Sequence, residues 1–340
     1  MSRVSRAVRA RRGSARSGAG DRRRPAARRG SVRPGTGPRA ARKRSAAAEP
    51  QIAPRRGAMR VVREASVVRR AVERWRRAGL KVAFVPTMGA IHAGHLSLVG
   101  RARRTADRVV ASIFVNPLQF GPREDYRRYP RPLARDQEQL DQAHVDLLWV
   151  PEVGDIYPEG HCTRVRVLGL TETLEGASRP GHFEGVTTVV LKLLQVVQPH
   201  ELWMGQKDAQ QARVVEQMVR DLGLGVAVRR GPTIREPDGL ALSSRNIYLE
   251  REDRRQALAL SRGLTEARRR LAAGERSPQR LIAAIRELWR GYPRVREDYV
   301  AVVDAGTLQP VRRVSGRILV AVAARVGPAR LIDNFEWESR

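Results

Sequence analysis

The chain has 340 residues, 41% of them hydrophobic, which is enough apolar material for one large core or two modest ones. Its net charge of +30 suggests a nucleic-acid binder, yet residues 1–58 hold 18 Lys and Arg against Asp21 and Glu49, so +16 of the excess sits there and +14 in all the rest. The single cysteine, Cys162, excludes an intramolecular disulfide and a C-x-x-C metal knuckle, and no apolar run approaches the roughly 18–20 residues that span a bilayer.

Residues 1–58 are Arg, Ala, Gly, Ser and Pro without hydrophobic periodicity, so they are expected to form a disordered extension. Three readings fit it: an upstream start codon, since Met59 opens the first structured segment; a solvated tail; or an arm that meets nucleic acid non-specifically. No apolar stretch follows its arginines, so it is not a secretory signal, and a cytoplasmic location is expected. The whole chain has only four lysines, Lys43, Lys81, Lys192 and Lys207, and this use of arginine elsewhere reads as coding bias rather than a selected surface.

From Met59 onward short apolar runs alternate with helical stretches. Lys81–Val85 reads as a buried strand, Gly94–Ala106 as a helix, Arg108–Val115 as a second apolar run, Arg131–Ala143 as an amphipathic helix and Val145–Val150 as a strand. Phe183–Val197 (helix), Glu201–Met204 (strand), Ala209–Leu222 (helix) and Val226–Val228 (strand) continue the alternation. This pattern predicts an α/β fold, a doubly wound Rossmann-like parallel sheet with helices on both faces, over residues 59–233. Past Ile234 the helices Arg251–Ala273 and Pro278–Trp289 precede the strands Asp298–Asp304, Arg317–Ala324 and Ala329–Phe335. Helices followed by strands predict a smaller C-terminal α+β lid domain over 234–340.

The segment Pro86-Thr-Met-Gly-Ala-Ile-His-Ala-Gly-His95 runs from a strand end into a helix start. Free N–H groups and the positive dipole end at such a junction suit phosphate, and Gly89 and Gly94 would let a nucleotide approach the backbone. His92 and His95, three residues apart, could both face the phosphates, protonated or as N–H donors, and stabilise charge as pyrophosphate leaves. A plainer reading has them cap or pack the helix. Gly205-Gln-Lys-Asp208 follows a short strand and opens a helix, and a lysine kept there suits a phosphate contact or a solvated helix start. Leu242-Ser-Ser-Arg245 follows the turn Pro237-Asp-Gly239; two hydroxyls and a guanidinium can grip a triphosphate, although such loops are common. Gln119 and Gln211 draw no notice on their own and read as exposed polar residues.

The H-x-G-H string resembles that of the nucleotidyltransferases that bind ATP and transfer AMP. Phe84–His95, Ser112–Phe120, Glu175–Phe183, Gly205–Gln211 and Asp238–Asn246 together resemble the pantothenate synthetases, in that family's order and spacing, from Met59 to about Asn334. The resemblance implies ATP-dependent condensation of pantoate with beta-alanine through a pantoyl adenylate, releasing AMP and pyrophosphate. It implies ATP contacts at Met88, Gly89, Ala90, Ile91, His92, Ala93, Gly94, His95, Gly205, Gln206, Lys207, Asp208, Ile234, Leu242, Ser243, Ser244 and Arg245. His95, His92, Lys207 and Arg245 are the implied catalytic groups, with His95 as proton donor. Gln119 and Gln211 would bind pantoate, with Gln119 also near beta-alanine, and Arg179 and His182 would add polar lining. Mg²⁺ is expected with ATP, its ligands unassigned, and the family implies a homodimer. One departure is Ala93, where many members carry an acidic residue; its side chain is expected to point away from ATP.

Two other function classes compete with this one. A nucleotidyltransferase acting on a phosphorylated acceptor would favour Arg or Lys where Gln119 and Gln211 stand. A polyanion-binding protein would interleave aromatics with its arginines, which the extension does not.

Overall fold

The computed structural model describes residues 57–122 and 124–339. All but the last two residues of the expected extension therefore lie outside the described residues.

In chain order the first half contains β1 (Arg60–Val62), α1 (Ala65–Arg77), β2 (Val82–Thr87), α2 (Ala93–Thr105), β3 (Arg108–Ile113), α3 (Leu133–Gln142) and β4 (Leu147–Trp149). The short helices α4 (Val153–Ile156) and α5 (Glu175–Ser178) lead to α6 (His182–Val197), β5 (Glu201–Gly205), α7 (Ala209–Asp221) and β6 (Ala227–Gly231). Then come α8 (Arg251–Ala272), α9 (Pro278–Trp289), β7 (Val295–Asp304), β8 (Arg317–Val326) and β9 (Ala329–Glu338).

The first six strands form one sheet in the order β1-β4-β3-β2-β5-β6, with every pair parallel. Alternation along β2 shows how the layers arise. Val82 and Phe84 join the core built with α1, α6 and α7, while Ala83 and Val85 face α2 and α3 through Leu98, Val99 and Leu140. From β2 the chain steps outward through β3 to β4, then returns to place β5 on the other side of β2. The order therefore reverses between β2 and β5, where a crevice opens at the strands' carboxyl ends.

The expected doubly wound sheet and C-terminal α+β part are both present. Four elements go beyond the sequence-based expectations, the one-turn helices α4 and α5 among them. The edge strand β1 has three residues, too few for a periodic signal. Helix α1 carries Val68, Ala71 and Val72, all buried at helical spacing against the sheet.

The second sheet is antiparallel, in the order β7-β8-β9. Its central strand is buried on both faces. Leu319 and Ala321 join the core of the parallel sheet, while Ile318, Val320, Val322 and Ala324 pack beneath α8 and α9. That double burial explains the unbroken apolar run from Ile318 to Ala324.

Candidate active site

The β2–α2 junction is held by a hydrogen-bond set that leaves little backbone free. Thr87 Oγ1 accepts from Gly89 N–H at 3.1 Å, and the Asp136 carboxylate from α3 accepts from Ala90 and Ile91 N–H, both at 2.8 Å. Gly89 turns the chain at φ +83°, where a Cβ would lie 3.0 Å from Asp136 Oδ2 and 3.1 Å from Ile113. Ala90 adopts φ +50°, a region that L residues avoid, so the carboxylate restrains a strained turn. Gly94 leaves room for a side chain instead, since a Cβ there would meet the His92 ring at 2.7 Å. The two glycines thus serve the turn and the imidazole. The N–H groups of Gly89, Ala90 and Ile91 are taken by Thr87 and Asp136.

His92 is the N-cap of α2: its Nδ1 accepts from Gly94 N–H at 3.1 Å. That bond keeps Nδ1 unprotonated, so the neutral ring carries its proton on Nε2. The ring stacks on His95 with centroids 4.1 Å apart, and His95 Nδ1 is buried with no partner among the described residues. Burial, reinforced by Lys207, lowers the pKa of His92 to about 4. Burial, then His92 and Lys207, lowers that of His95 to about 3. Both rings are neutral near pH 7, so they offer N–H hydrogen bonds and not standing positive charge. Negative phosphate beside them would raise both values.

Across the crevice, Gly205 ends β5 and Gln206–Asp208 form one 3₁₀ turn before α7. Lys207 carbonyl accepts from Asn334 Nδ2 of β9 at 2.7 Å, and Lys207 Nζ lies 3.8 Å from Asp208 Oδ1. From the C-terminal part, the loop carrying Leu242–Arg245 closes over the crevice. Leu242 N–H donates to the Ile234 carbonyl at 3.0 Å, and Ser243 Oγ accepts from Arg245 N–H at 3.3 Å. Tyr129 hydroxyl and Ser244 Oγ are 3.0 Å apart.

A cavity of about 220 Å³ gathers Met88, His92, Gly94, His95, Gln119, Gly205, Lys207, Asp208, Gln211, Ile234 and Leu242–Arg245. It shares Met88, Gln119, Lys207, Asp208, Gln211, Ser243 and Arg245 with an adjoining space of about 410 Å³ between the two sheets. Five expected contacts lie outside this lining. Gly89, Ala90 and Ile91 turn toward Asp136, Ala93 is solvent-exposed, and Gln206 donates to Glu336 at 3.2 Å.

Residues 60–336 match the model of the Pantoate-beta-alanine ligase family. The chain belongs to the pantoate–beta-alanine ligase family. It is 51% identical over 280 residues to the pantothenate synthetase of Moorella thermoacetica, covering 82% of this chain and 99% of that protein. A crystal structure of pantothenate synthetase from Thermus thermophilus superposes with a TM-score of 0.78 at 51% identity, covering 82% and 99% of the two chains. Pantoate-beta-alanine ligase from Francisella tularensis, solved in complex with beta-gamma ATP and beta-alanine, superposes with a TM-score of 0.68 at 36% identity over 82% and 97%. The activity is the joining of pantoate to beta-alanine.

Within this ligase fold several site groups carry no sequence signal of their own. Asp125 holds Arg245 through two bonds of 2.9 and 3.0 Å, so the guanidinium expected to meet phosphate is already paired. Burial raises the Asp125 pKa, but the Arg245 bonds outweigh it and hold the carboxyl below its ordinary range. Arg179 and His182, expected as lining, do line the larger space, and they also brace Gln119. The Gln119 carbonyl accepts from His182 Nδ1 at 2.8 Å and from Arg179 Nη2 at 3.2 Å. A carbonyl only accepts, so His182 carries its proton on Nδ1 and receives Arg179 Nη1 at Nε2, 3.0 Å away. Arg179 is fixed in turn by Glu124 at 2.6 and 2.7 Å. Asp136, Asp125 and Glu124 are ordinary acidic residues locally; only contacts across the fold give them roles.

Proposed function

We propose that the crevice adenylates pantoate with ATP and then transfers the pantoyl group to beta-alanine, releasing AMP and pyrophosphate. The observation that carries this reading is the convergence of the stacked His92–His95 pair, Lys207 and Ser243–Arg245 on one cavity, beside Gln119 and Gln211. In this reading the pantoate carboxylate attacks the α-phosphorus, and charge moves onto the departing pyrophosphate. Imidazole N–H groups and the Lys207 ammonium meet that charge in a site shielded from water, where such donors are strongest. Ser243 and Ser244 add hydroxyl donors, and Arg245 joins them by exchanging Asp125 for phosphate oxygen. The two glutamines hold pantoate in line, and Gln119 also lies toward beta-alanine. The neutral amine of beta-alanine then attacks the acyl carbon, expelling AMP.

Mg²⁺ fits this site as a companion of the triphosphate. Among the described cleft carboxylates, Glu124, Asp125, Glu175, Asp298 and Asp333 are each engaged by an arginine, whereas Asp208 has only Lys207 at 3.8 Å. Asp208 together with phosphate oxygens would hold the ion, which when bound shields phosphate charge. No group of three or more His, Cys, Asp or Glu side chains among the described residues forms a protein cage for it. We also propose a domain boundary at 233/234, a homodimer and a cytoplasmic location. The homodimer rests on the family resemblance and the location on the lone cysteine; no helix among the described residues is long and apolar enough to cross a membrane.

The test is isotope exchange. Labelled pyrophosphate should enter ATP when pantoate and Mg²⁺ are present and beta-alanine is absent, because the adenylate forms before the amine is needed. Exchange without pantoate, or ADP as the nucleotide product, would overturn the reading.

A further inference from the structure

In the wall of the smaller cavity, Asn116 is 1% exposed and uses its whole hydrogen-bonding capacity. Its Oδ1 accepts from Leu118 N–H at 3.2 Å and from the Tyr157 hydroxyl at 2.8 Å. Its Nδ2 donates to the Gly185 carbonyl at 3.1 Å and to Gln119 Oε1 at 3.0 Å. Two of these partners are backbone groups with fixed roles: Leu118 N–H can only donate and the Gly185 carbonyl can only accept. The amide therefore has one orientation, and Tyr157 is the donor in its bond. Gly185 belongs to this arrangement, because a Cβ there would lie 2.3 Å from the Leu118 carbonyl oxygen and force the segment away.

The consequence reaches the substrate side. With Oε1 occupied by Asn116, Gln119 turns its Nε2 the other way, where one N–H meets Met88 Sδ at 3.2 Å. Sulfur is a weak acceptor, so that N–H and its twin remain available to oxygen atoms in the cavity. Gln119 is thereby oriented: its N–H groups face a bound acid, while its Oε1 spends one of two lone pairs on Asn116. Its main chain is braced separately by His182 and Arg179, so the Asn116 bond fixes the side chain alone.

We propose that Tyr157 is a positioning residue for pantoate binding, acting through Asn116 to hold the Gln119 amide with its N–H groups toward the substrate. Tyr157 lines neither space of the cleft and touches no substrate position. Its ring is seated by Phe114, 6.2 Å between centroids, and by the Lys192 ammonium at 5.7 Å, which directs the hydroxyl at Asn116. Burial pushes the phenol pKa upward, so the donor proton persists through the usual assay range. Without it, the Leu118 and Gly185 backbone bonds still orient the Asn116 amide, but Oδ1 keeps only the 3.2 Å bond and the Asn116–Gln119 pair is held less firmly.

The inference rests on the reading that Gln119 binds pantoate, so the experiment separates the two. Tyr157→Phe keeps the ring and removes one hydroxyl. It should raise the pantoate KM about 3- to 10-fold, the worth of one hydrogen bond, while the ATP KM stays within about twofold. Gln119→Ala is measured alongside, and Tyr157→Phe is then added in that background, where it should have no further effect on pantoate KM because the group it positions is gone. If Gln119→Ala leaves pantoate KM unchanged, the underlying reading fails. If Gln119→Ala raises it but Tyr157→Phe alone does not, the positioning role fails. Equal effects of Tyr157→Phe in both backgrounds, or parallel losses toward ATP and pantoate, would assign Tyr157 to general packing and also overturn the proposal.

Discussion

The restraint of the β2–α2 turn by Asp136 permits a quantitative test. Its carboxylate is 1% exposed and takes two N–H groups at 2.8 Å, one from Ala90 in a left-handed conformation. Asp136→Ala strands both donors, at about 1–3 kcal/mol each, with some recovered by water entering the gap. A net loss of roughly 3 kcal/mol is expected, which lowers Tm by roughly 4–5 °C in a chain of this size. Asp136→Asn should do no better, since one amide oxygen serves one N–H while its NH₂ faces the other. Because Ile91 leads directly into His92, pyrophosphate exchange should fall in both variants even at temperatures where they stay folded. Thermal unfolding and exchange kinetics on the same preparations provide the measurement. Variants melting within about 1 °C of the parent, with exchange within about twofold, would refute the claim that this carboxylate restrains the turn.

Replacing His95 with Ala should cut the exchange rate by about 10²–10³, as for loss of one transition-state donor, with ATP affinity changing less; rapid-quench measurement of ATP consumption decides this. Arg330 reaches Glu175 at 2.6 and 2.8 Å and Asp298 at 2.7 Å, so Arg330→Met leaves Glu175 buried and poorly compensated. Urea unfolding should show a loss of about 3–5 kcal/mol, partly restored by adding Glu175→Gln. Burial holds His92 and His182 at about 4 and His95 at about 3, against 6.5 in an unfolded chain. Between pH 6.5 and about 4 the unfolded state therefore binds more protons, and stability should fall as pH drops through this window. Melts that do not change from about pH 7 to about pH 5 would contradict that sign.

The sequence carried the alternation of the parallel sheet because buried strands such as Lys81–Val85 and helices such as Phe183–Val197 are long enough to show their period. It singled out His92, His95, Lys207 and Ser243–Arg245, which line one cavity, because these residues sit in short contiguous motifs. What it left hidden depends on distance along the chain. Asp136 meets Ala90 from 46 residues away and Asp125 meets Arg245 from 120, and no local pattern marks either acid. The glycines were the subtler case: Gly89 and Gly94 stood out, but the neighbours a Cβ would meet there, Asp136 and the His92 ring, had no local signal as such. Helix α1 had its spacing written in Val68, Ala71 and Val72, whereas β1 is recognisable only once β4 lies beside it.

Strand β8 makes the C-terminal part less like a cap on a hinge and more like a party wall. Each successive side chain belongs to a different room: Leu319 and Ala321 to the nucleotide-fold side, Val320 and Val322 to the helical side. Neither room closes without it. A change of volume at any of these positions is felt on one side directly and on the other through the shared backbone. The two halves are therefore expected to melt together rather than in sequence, and neither should be transplantable alone.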